Sequence, residues 1–315
     1  MVIDIHTQIW SNPEQLGRER ADGLRRQQVQ HWGQFDASVA AHEEAMRCVD
    51  GAVVLGFRSD RLGALIPNEY VAEFVARDQQ RRIGVAGIDP MSSDVDRQLD
   101  AALSLGLSGI TLSPAYQGFH PQHSTAMRLY ERCVEAALPV FVTLDAPISA
   151  SAVLDFARPV LWDDVARTLP SLTLVFGQLG HPWIDETLIL LAKHPNVYAD
   201  ISGVAGRPWQ LYNAMLNAVS LGVMDKLLFG SGFPYQSPAK IIESMYSLNT
   251  YSHGTQLPSI PRTQIRGIVE RNSLACLGID AVVGPRRLRE DDDEADMLGV
   301  GPGDRSIDRP GGPRA

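Results

Sequence analysis

The chain has 315 residues, of which 44% are hydrophobic and 21% are charged, so it can bury a sizeable core in one large domain or two smaller ones. Its 28 basic and 37 acidic residues give a formal net charge of -9, which disfavours a general nucleic-acid or anionic-membrane binder, because phosphate affinity comes mostly from Lys and Arg. No apolar run approaches the roughly 20 residues that span a bilayer. Because of this and the acidic net charge, we expect neither a membrane nor nucleic acid as a partner.

The three cysteines, Cys48, Cys133 and Cys276, are far apart and form no CxxC pair. This spacing predicts neither a disulfide framework nor a structural zinc site. The opening segment MVIDIHTQIW lacks the basic and long apolar stretches of a secretory signal peptide. We therefore expect a cytoplasmic location.

Short apolar runs rich in β-branched residues alternate with longer amphipathic stretches along the chain. Continuous apolar runs such as AVVLGF and LTLVFG are typical of parallel strands that are buried on both faces. The runs predict strands at 2–6, 51–57, 82–88, 108–112, 139–144, 173–177, 196–201 and 226–230. The amphipathic stretches predict helices at 69–80, 94–106, 124–137, 185–194, 209–222, 238–250 and 262–277.

This alternation of strands and helices over about 280 residues has the count and size of a (β/α)8 TIM barrel. A doubly wound sheet can also hold such an alternation, but no GxGxxG motif or P-loop follows the first predicted strand. The sequence therefore predicts an α/β protein with a single TIM-barrel domain at 1–283.

Two segments stand outside the alternation. The segment 11–50 is long for one connection, so we expect a helical insertion that covers the barrel mouth or forms a subunit contact. The segment 284–315 is charged, rich in Gly and Pro, and almost free of aliphatic bulk. It cannot bury enough apolar area to offset ordering, and we predict a disordered tail.

Chemistry in a TIM barrel sits at the C-terminal ends of the strands, so the residues there are the candidates for function. Asp4, His6 and Gln8 alternate along the first predicted strand and are expected to point to one side. The other polar residues at or just after predicted strand ends are Arg58, Ser113, Thr143, Asp145, Gln178, His181, Asp200, Ser202 and Ser231.

Five segments together resemble one known family: DIHTQIW, IPNEYVAEFVARD, SPAYQGFHP, FGQLGHPWIDETLILLAKHPNVYADISG and DKLLFGSGFP. The family is the amidohydrolase-2 branch of the metal-dependent amidohydrolase superfamily, which includes aminocarboxymuconate-semialdehyde decarboxylase and resorcylate decarboxylase. The resemblance covers roughly residues 1–280 and implies a TIM barrel, usually dimeric, with one divalent metal ion at its mouth. In the family that ion, usually zinc or manganese, activates a water or holds a substrate carboxylate or phenolate.

At most of the family's metal positions this chain has a different residue. The His-x-His pair at the end of the first strand is replaced by His6 and Gln8. The ligand His of the fifth strand and the first His of the GHLGHPW pattern are replaced by Thr143 and Gln178. The Asp of the GSDFP pattern, both ligand and proton acceptor in the family, is replaced by Gly232. Of these positions, only His6 keeps the family's residue.

A divalent transition metal in a catalytic site needs about three anionic or imidazole ligands. Gln and Thr oxygens are weak donors for zinc, and glycine has no side chain to offer. We therefore predict that the inherited metal site is lost and that no cofactor is bound. A rebuilt site from His6, Asp145 and His181 stays open as an alternative, although nothing in their spacing signals one.

Three titratable residues are the candidates for catalysis. His6 can bind substrate or transfer a proton, because imidazole titrates near neutrality; alternatively it is a vestigial residue bonded to Gln8 or Gln178. Asp145 either replaces the family's lost acid–base carboxylate or caps the turn DAP that it begins. His181, in GHPW, either takes part in catalysis or braces its loop.

Substrate binding is expected from a second group of residues. Arg58 can pair with a substrate carboxylate or form a surface salt bridge. Tyr116 and His120 belong to the loop SPAYQGFHPQH, which should overhang the mouth, while Asp200 is expected to order the mouth. The remaining candidates are neutral hydrogen-bonding residues that would orient a ligand: Gln8, Ser113, Thr143 and Gln178.

Three functional hypotheses follow. The first is a metal-independent enzyme that performs hydrolysis, decarboxylation, cyclisation or isomerisation by acid–base catalysis on a small, aromatic or unsaturated carboxylic or phenolic compound. The resemblance allows this, because some family relatives hydrolyse lactones without a metal. The second is a non-catalytic homologue that binds a ligand or stabilises an active paralogue. The third is a metal hydrolase with substituted ligands, and in each case the resemblance implies a homodimer.

The barrel mouth distinguishes the first two hypotheses. A titratable pair within hydrogen-bond reach, such as His6 and Asp145, would favour an enzyme. A mouth filled by bulky side chains would favour a non-catalytic homologue.

Overall fold

Strands and helices alternate along the chain in the order that the sequence pattern predicts. The computed structural model describes residues 1–31, 35–281 and 283–284. Of the predicted disordered tail at 284–315, only Gly284 is among the described residues.

In the described part of the chain, eight parallel strands form one sheet in sequence order, and two further strands form a separate antiparallel hairpin. The strands are β1 (Ile3–Thr7), β2 (Gly51–Leu55), β3 (Phe57–Ser59), β4 (Ala64–Ile66), β5 (Arg82–Gly87), β6 (Ile110–Leu112), β7 (Val140–Val142), β8 (Leu174–Phe176), β9 (Val197–Asp200) and β10 (Leu227–Leu228). The hairpin of β3 and β4 has no counterpart among the predicted elements.

The sheet closes on itself between its first and last strands. The amide of Ile5 donates to the carbonyl of Phe229 at 3.0 Å, and the amide of Gln8 donates to that of Phe233 at 3.0 Å. Eight parallel strands that close in this way, with helices between them, make the predicted TIM barrel.

Two short helices, Pro114–Gln117 and Asp163–Thr168, were not predicted, whereas each of the seven predicted helices has a counterpart among the helices between the strands. They are α1 (Arg18–His31), α2 (Val39–Ala45), α3 (Asn68–Ala76), α4 (Val95–Ser104), α5 (Pro114–Gln117), α6 (Ser124–Glu135), α7 (Asp163–Thr168), α8 (Ile184–Lys193), α9 (Pro208–Leu221), α10 (Pro238–Tyr246), α11 (Arg262–Glu270) and α12 (Ser273–Cys276). The single helix predicted at 262–277 is in fact two, because Asn272 leaves the helical conformation and its side chain accepts the amide hydrogen of Ala275 at the start of α12.

Two apolar clusters hold the barrel together. The larger one packs the helices against the sheet and contains, for example, Phe74 of α3 and Val54 of β2. The smaller one joins residues from several strands, such as Ile3 and Val85, to Leu274 of α12. No helix in the described ranges combines the length and the apolar character that crossing a bilayer requires.

The predicted insertion at 11–50 contains α1 and α2. The two helices lie between β1 and β2 in the chain, and α1 brings Glu19, Arg20 and Gly23 against the loop that follows β7. This loop carries Asp145, so α1 covers the strand ends where the candidate residues meet.

Candidate active site

The imidazole of His6 lies between two carboxylates. Its Nδ1 is 2.8 Å from Oδ2 of Asp200, and its Nε2 is 3.1 Å from Oδ1 of Asp145. His6 and Asp145 are 1% and 3% exposed, and Asp200 is fully buried. The residues come from β1, from the loop after β7 and from the end of β9, so the barrel closure brings them together.

Two glycines make room for this imidazole. A Cβ on Gly177 would lie 2.9 Å from Cε1 of His6, and a Cβ on Gly230 would lie 3.0 Å from Cβ of His6. The first distance is shorter than real Cβ contacts and the second is unusually tight, so a side chain at either glycine would push against His6.

The charges of this group favour a protonated His6. Burial by itself would lower the pKa of the imidazole, but the carboxylates of Asp200 and Asp145 outweigh it and raise the pKa well above 6.5. Burial likewise opposes ionisation of Asp145, yet the charge and hydrogen bond of His6, together with Arg20, lower its pKa. These charges favour an imidazolium, which would donate one N–H to each carboxylate.

Asp200 is fixed by several donors. Its Oδ1 accepts the backbone amides of Gln178 at 3.0 Å and Ser202 at 2.9 Å, and also the Ser202 hydroxyl. The same hydroxyl oxygen is 3.1 Å from Nδ1 of His6 and can share its proton. Asp200 therefore orients the imidazole, which is more than the general ordering role that the sequence predicts.

Asp145 is held by two amide side chains as well as by His6. Gln178 donates from Nε2 to its Oδ1 at 2.8 Å, and Gln8 donates from Nε2 to its Oδ2 at 3.2 Å. The Thr143 hydroxyl also contributes to the low pKa of Asp145. The structure thus assembles Gln8, Thr143 and Gln178 around one carboxylate.

The backbone at Gln178 is strained. Gln178 has φ 58° and ψ 29°, and Leu179 has φ 52° and ψ 28°, so two consecutive residues other than glycine adopt the left-handed conformation. Each such residue costs on the order of 1 kcal/mol and persists only where its surroundings impose it. Here the strain places the amide of Gln178 on Asp200 and its side chain on Asp145.

The helix α1 closes the mouth with a buried arginine. Arg20 is 1% exposed, and its Nη2 donates to the backbone carbonyl of Asp145 at 3.4 Å. Its guanidinium carbon lies 4.7 Å from the ring centre of Tyr116 and 5.1 Å from that of Phe57. The Tyr116 hydroxyl donates to the same Asp145 carbonyl at 2.5 Å. The mouth is therefore filled with bulky side chains.

Two further contacts fasten α1 to the loop after β7. The Glu19 carboxylate accepts from the Ser149 hydroxyl, and from the Ser151 amide at 3.1 Å and hydroxyl at 3.0 Å. One turn further along α1, Gly23 packs on Pro147 so closely that a Cβ would lie 2.7 Å from Cγ of Pro147. These contacts hold α1 against the loop that carries the nearly fully buried Asp145.

Some predicted residues lie away from His6. Arg58 pairs with Asp60 at 3.0 Å and Asp94 at 3.4 Å, which corresponds to the salt-bridge alternative. His120 packs its ring against Phe156 at 5.9 Å. Among the described contacts, neither reaches the His6 group, so their substrate-binding roles stay predictions without a supporting contact.

His181 and Ser113 are also separate from the imidazole. The His181 ring accepts from Arg207, and partial burial, with the charge of Arg207, lowers its pKa. It lines an open cavity of about 520 Å³ between the start of α8 and α9, together with Trp183 and Trp209. Ser113 is buried and its hydroxyl donates to the carbonyl of Thr143 at 2.6 Å, which is a structural contact.

Sequence reasoning missed Arg20 and Tyr235. Tyr235 follows the FGSGFP segment and packs between Trp10, at 6.2 Å, and Phe35, at 5.5 Å. Burial raises the pKa of Tyr235 well above its ordinary value, and Arg20 is close enough to oppose part of that effect. The sequence held one partial signal for Arg20, because the helical insertion was expected to cover the mouth. The structure places Arg20 on the buried side of α1, whereas the nearby Arg18 is exposed.

The buried carboxyl of Asp4 lies beside this group. Its Oδ1 accepts the amides of Ser231 at 2.9 Å and His6 at 3.1 Å, whereas its Oδ2 has no hydrogen-bond partner among the described residues. Burial outweighs those hydrogen bonds and raises its pKa to about 6.

The residues present do not fit the divalent metal that the family resemblance implies. Both ring nitrogens of His6 are engaged by carboxylates, at 2.8 Å from Asp200 and 3.1 Å from Asp145, so binding of either nitrogen to a metal would break one of these contacts. Gln8 and Gln178 donate their amide groups to Asp145, and Gly232 brings no side chain. In the described ranges, no three His, Cys, Asp or Glu side chains are grouped so that they could hold an ion.

Similar folds are known among solved structures. A probable 2-pyrone-4,6-dicarboxylic acid hydrolase from Acinetobacter baumannii, with citric acid bound, is 13% identical with a TM-score of 0.61. An amidohydrolase from Burkholderia multivorans, with bound zinc, is 12% identical with a TM-score of 0.65, and 5-carboxyvanillate decarboxylase from Sphingomonas paucimobilis is 14% identical with a TM-score of 0.61. Each alignment covers 88% of this chain and 99% of the other.

The sequence itself gives the family. No curated protein matches it significantly. The family sequence model described as amidohydrolase, however, matches residues 3–279, which include the whole barrel and its strand ends. The chain therefore belongs to the amidohydrolase family.

Proposed function

We propose that the protein is a metal-independent enzyme in which His6 and Asp145 exchange a proton with a small aromatic or unsaturated carboxylic or phenolic substrate. The observation that carries this proposal is the contact of 3.1 Å between Nε2 of His6 and the Asp145 carboxylate, at the strand ends of the barrel. The similar folds include hydrolases and decarboxylases of such acids by name, which supports the substrate class.

Each residue has a different task in the proposed reaction. Asp200 orients the imidazole through Nδ1 and stabilises its positive charge, as the carboxylate of a catalytic triad does. His6 is the proton donor, because the two carboxylates keep it protonated. Asp145 is the proton acceptor, and the amides of Gln8 and Gln178 hold its carboxylate in place.

Three reaction classes use this arrangement. A lactone or other ester is hydrolysed when Asp145 takes a proton from water as the water oxygen bonds to the acyl carbon, and His6 protonates the leaving oxygen as the acyl–oxygen bond breaks. In a decarboxylation, His6 protonates the carbon that loses carbon dioxide as the carbon–carbon bond breaks, and an isomerisation needs one proton removed and one returned. Hydrolysis and isomerisation therefore use both members of the pair of His6 and Asp145, which are 3.1 Å apart, whereas decarboxylation uses the donor alone.

The experiment is a turnover assay with two substrates, 2-pyrone-4,6-dicarboxylate and 5-carboxyvanillate, in buffer with a chelator. We expect conversion of at least one of them, unchanged by the chelator, and a loss of at least about 100-fold in His6→Gln. The matched control is His253→Gln, an exposed histidine, which should leave the rate unchanged. Equal rates in the wild type and His6→Gln would contradict the proposal, as would activity that appears only after zinc or manganese is added.

A second candidate function is favoured by the filled mouth. With Arg20, Tyr116 and Phe57 packed over the strand ends, the chain also fits a non-catalytic homologue that binds a ligand or supports a paralogue. In that case neither substrate is converted, and His6→Gln alters only stability. The same assay therefore separates the two functions.

A further inference from the structure

The guanidinium of Arg20 is a buried cation without an ion-pair partner among the described residues. Its polar contact at Nη2 is with a backbone carbonyl, that of Asp145. Its Nε is buried and has no hydrogen-bond partner in the described part of the chain. A buried charge is costly unless it is paired and hydrogen-bonded, so the fold maintains this arrangement against a penalty.

The aromatic rings around Arg20 compensate only partly. Tyr116 and Phe57 lie within 4.7 and 5.1 Å of the guanidinium carbon, which is the geometry of a cation–π contact. Such contacts stabilise the charge but supply no acceptor for Nε, which stays without a hydrogen-bond partner among the described residues. An anion that accepts from Nε would remove this deficit.

A second donor next to Arg20 also lacks an acceptor. The Tyr235 hydroxyl lies within hydrogen-bonding reach of the Arg20 guanidinium, which opposes part of the rise in its pKa, and its own O–H is buried with no acceptor of normal geometry among the described residues. Burial keeps this phenol protonated, so it is available as a donor. Two neighbouring unpartnered donors, one of them cationic, match the two oxygens of a carboxylate.

One unpartnered acceptor completes the surroundings of Asp145. Oε1 of Gln8 is buried without a hydrogen-bond partner in the described ranges, while Nε2 of the same residue donates to Asp145. A ligand that carries a hydroxyl group as well as a carboxylate would satisfy this acceptor too. The unpartnered atoms thus suit a hydroxylated or otherwise protic carboxylic acid better than a neutral compound.

We propose that Arg20 and Tyr235 form a carboxylate-binding subsite, so that α1 recognises the acid group of the substrate that His6 and Asp145 act on. This inference rests on the proposed function for the location of the reacting atoms and narrows its substrate class to carboxylic acids. Because Arg20 belongs to the helix that covers the mouth, α1 closes over the bound acid. The contacts of Glu19 and Gly23 with the loop after β7 then hold the closed position.

The subsite is tested with benzoate as the probe and benzamide as its neutral counterpart, which has the same shape. The dissociation constants come from the rise in melting temperature over a concentration series at constant ionic strength. We expect the wild type to bind benzoate at least about tenfold more tightly than benzamide, and Arg20→Gln to lose this preference. Arg18→Gln, an exposed position on the same helix, is the matched control and should bind like the wild type.

A second variant covers the case in which Arg20→Gln does not fold. Arg20→Lys keeps the positive charge but lacks the planar fork of the guanidinium, so it should weaken benzoate binding severalfold. Three results overturn the inference: no binding of benzoate to the wild type, equal binding of benzoate and benzamide, or unchanged benzoate binding in Arg20→Lys or Arg20→Gln.

This test does not depend on turnover. Benzoate bound through Arg20 in a protein that converts neither substrate would support the subsite and contradict only the proposed catalysis. Turnover together with benzoate binding that is independent of Arg20 would contradict only the subsite.

Discussion

Gly23 of α1 lies directly on Pro147 of the loop after β7, at a distance that no side chain can occupy. The contact joins the helix that covers the strand ends to the loop that carries Asp145. We expect Gly23→Ala to displace α1 and to destabilise the fold by about 1–3 kcal/mol, the usual cost of overpacking. Hydrogen exchange in α1 should rise more than in the barrel strands.

The control for this substitution is Gly267→Ala in α11. A Cβ on Gly267 would meet only Nη2 of Arg271, at 3.6 Å, which is an ordinary contact. Since alanine favours a helix more than glycine does, this variant should be neutral or more stable by up to about 1 kcal/mol. An equal loss of stability in both variants would show that the contact with Pro147 has no special role.

A second prediction concerns the alkaline side of the stability curve. The folded pKa of His6 lies well above its ordinary value of 6.5, because Asp200 and Asp145 outweigh the effect of burial. The stability that protonated His6 contributes is therefore complete below about pH 6.5 and is lost as the pH rises through its folded pKa. In denaturant titrations, the wild type should lose stability above neutrality, and His6→Gln should show a flatter curve.

On the acid side, protonation of Asp145 removes the stability that its ion pair with His6 contributes. Its folded pKa is lowered, so its share of the stability is present above its ordinary pKa and is lost as the pH falls through the folded value. The pair with His6 is therefore most stabilising between these limits. His253→Gln is the control, and the same alkaline slope in His6→Gln as in the wild type would rule out a buried imidazolium.

The third prediction is that ionisation of Asp4 destabilises the fold. The unfolded chain releases this proton near pH 3.8, whereas the folded chain keeps it until about pH 6 because burial disfavours the carboxylate. Stability should therefore fall as the pH rises through this window, by roughly 3 kcal/mol in total at about 1.4 kcal/mol per pH unit. Asp4→Asn should remove that fall in urea denaturation measured between pH 4 and 7, and a slope identical to the wild type would refute the assignment.

A fourth prediction tests the metal positions. The purified wild type should contain well under one equivalent of zinc or manganese by elemental analysis. The variant that combines Gln8→His, Thr143→His, Gln178→His and Gly232→Asp should gain zinc affinity in calorimetric titration, because it restores imidazole and carboxylate donors. A folded variant without zinc binding would mean that these residues were wrongly matched to the family's metal positions.

The backbone conformation at Gly232 affects the stability of this quadruple variant, so its control is a variant that keeps Gly232. Gly232 has φ +74°, and a Cβ there would lie 3.2 Å from Cβ of Ser202. Asp tolerates the left-handed conformation better than most residues, at a cost of about 1 kcal/mol. The triple variant that keeps Gly232 is the control, and it should be more stable but bind zinc more weakly.

The strand ends were predictable from the sequence because buried parallel strands read as continuous apolar runs, and the polar residue after each run marks an end. His6, Asp145 and Gln178 were found in this way, and the family resemblance added that Gln178 stands at a metal-ligand position of the family. The contact of His6 with Asp200 was not predicted, because the two residues are 194 positions apart and only the closed barrel brings them together. The same holds for the left-handed turn at Gln178, since glutamine does not signal it.

Arg58 and Arg20 show why charged residues were harder to place. Arg58 follows a predicted strand, and Arg20 lies in the predicted insertion. The sequence alone does not show which of the two has a carboxylate close by. Arg58 pairs with Asp60 two residues away and with Asp94, so its charge is already satisfied. Arg20 is drawn inward by the packing of α1, a tertiary contact that local patterning does not encode.

The position of α1 in the chain has one consequence for how this protein can diversify. Arg20 comes from a connection between two strands, whereas His6, Asp145 and Asp200 belong to the barrel framework. If the proposed roles hold, replacing that connection would change which molecules are admitted and, because Arg20 also lowers the pKa of Asp145, the strength of the proton acceptor. A lineage that exchanges this segment would therefore alter selectivity and reactivity together.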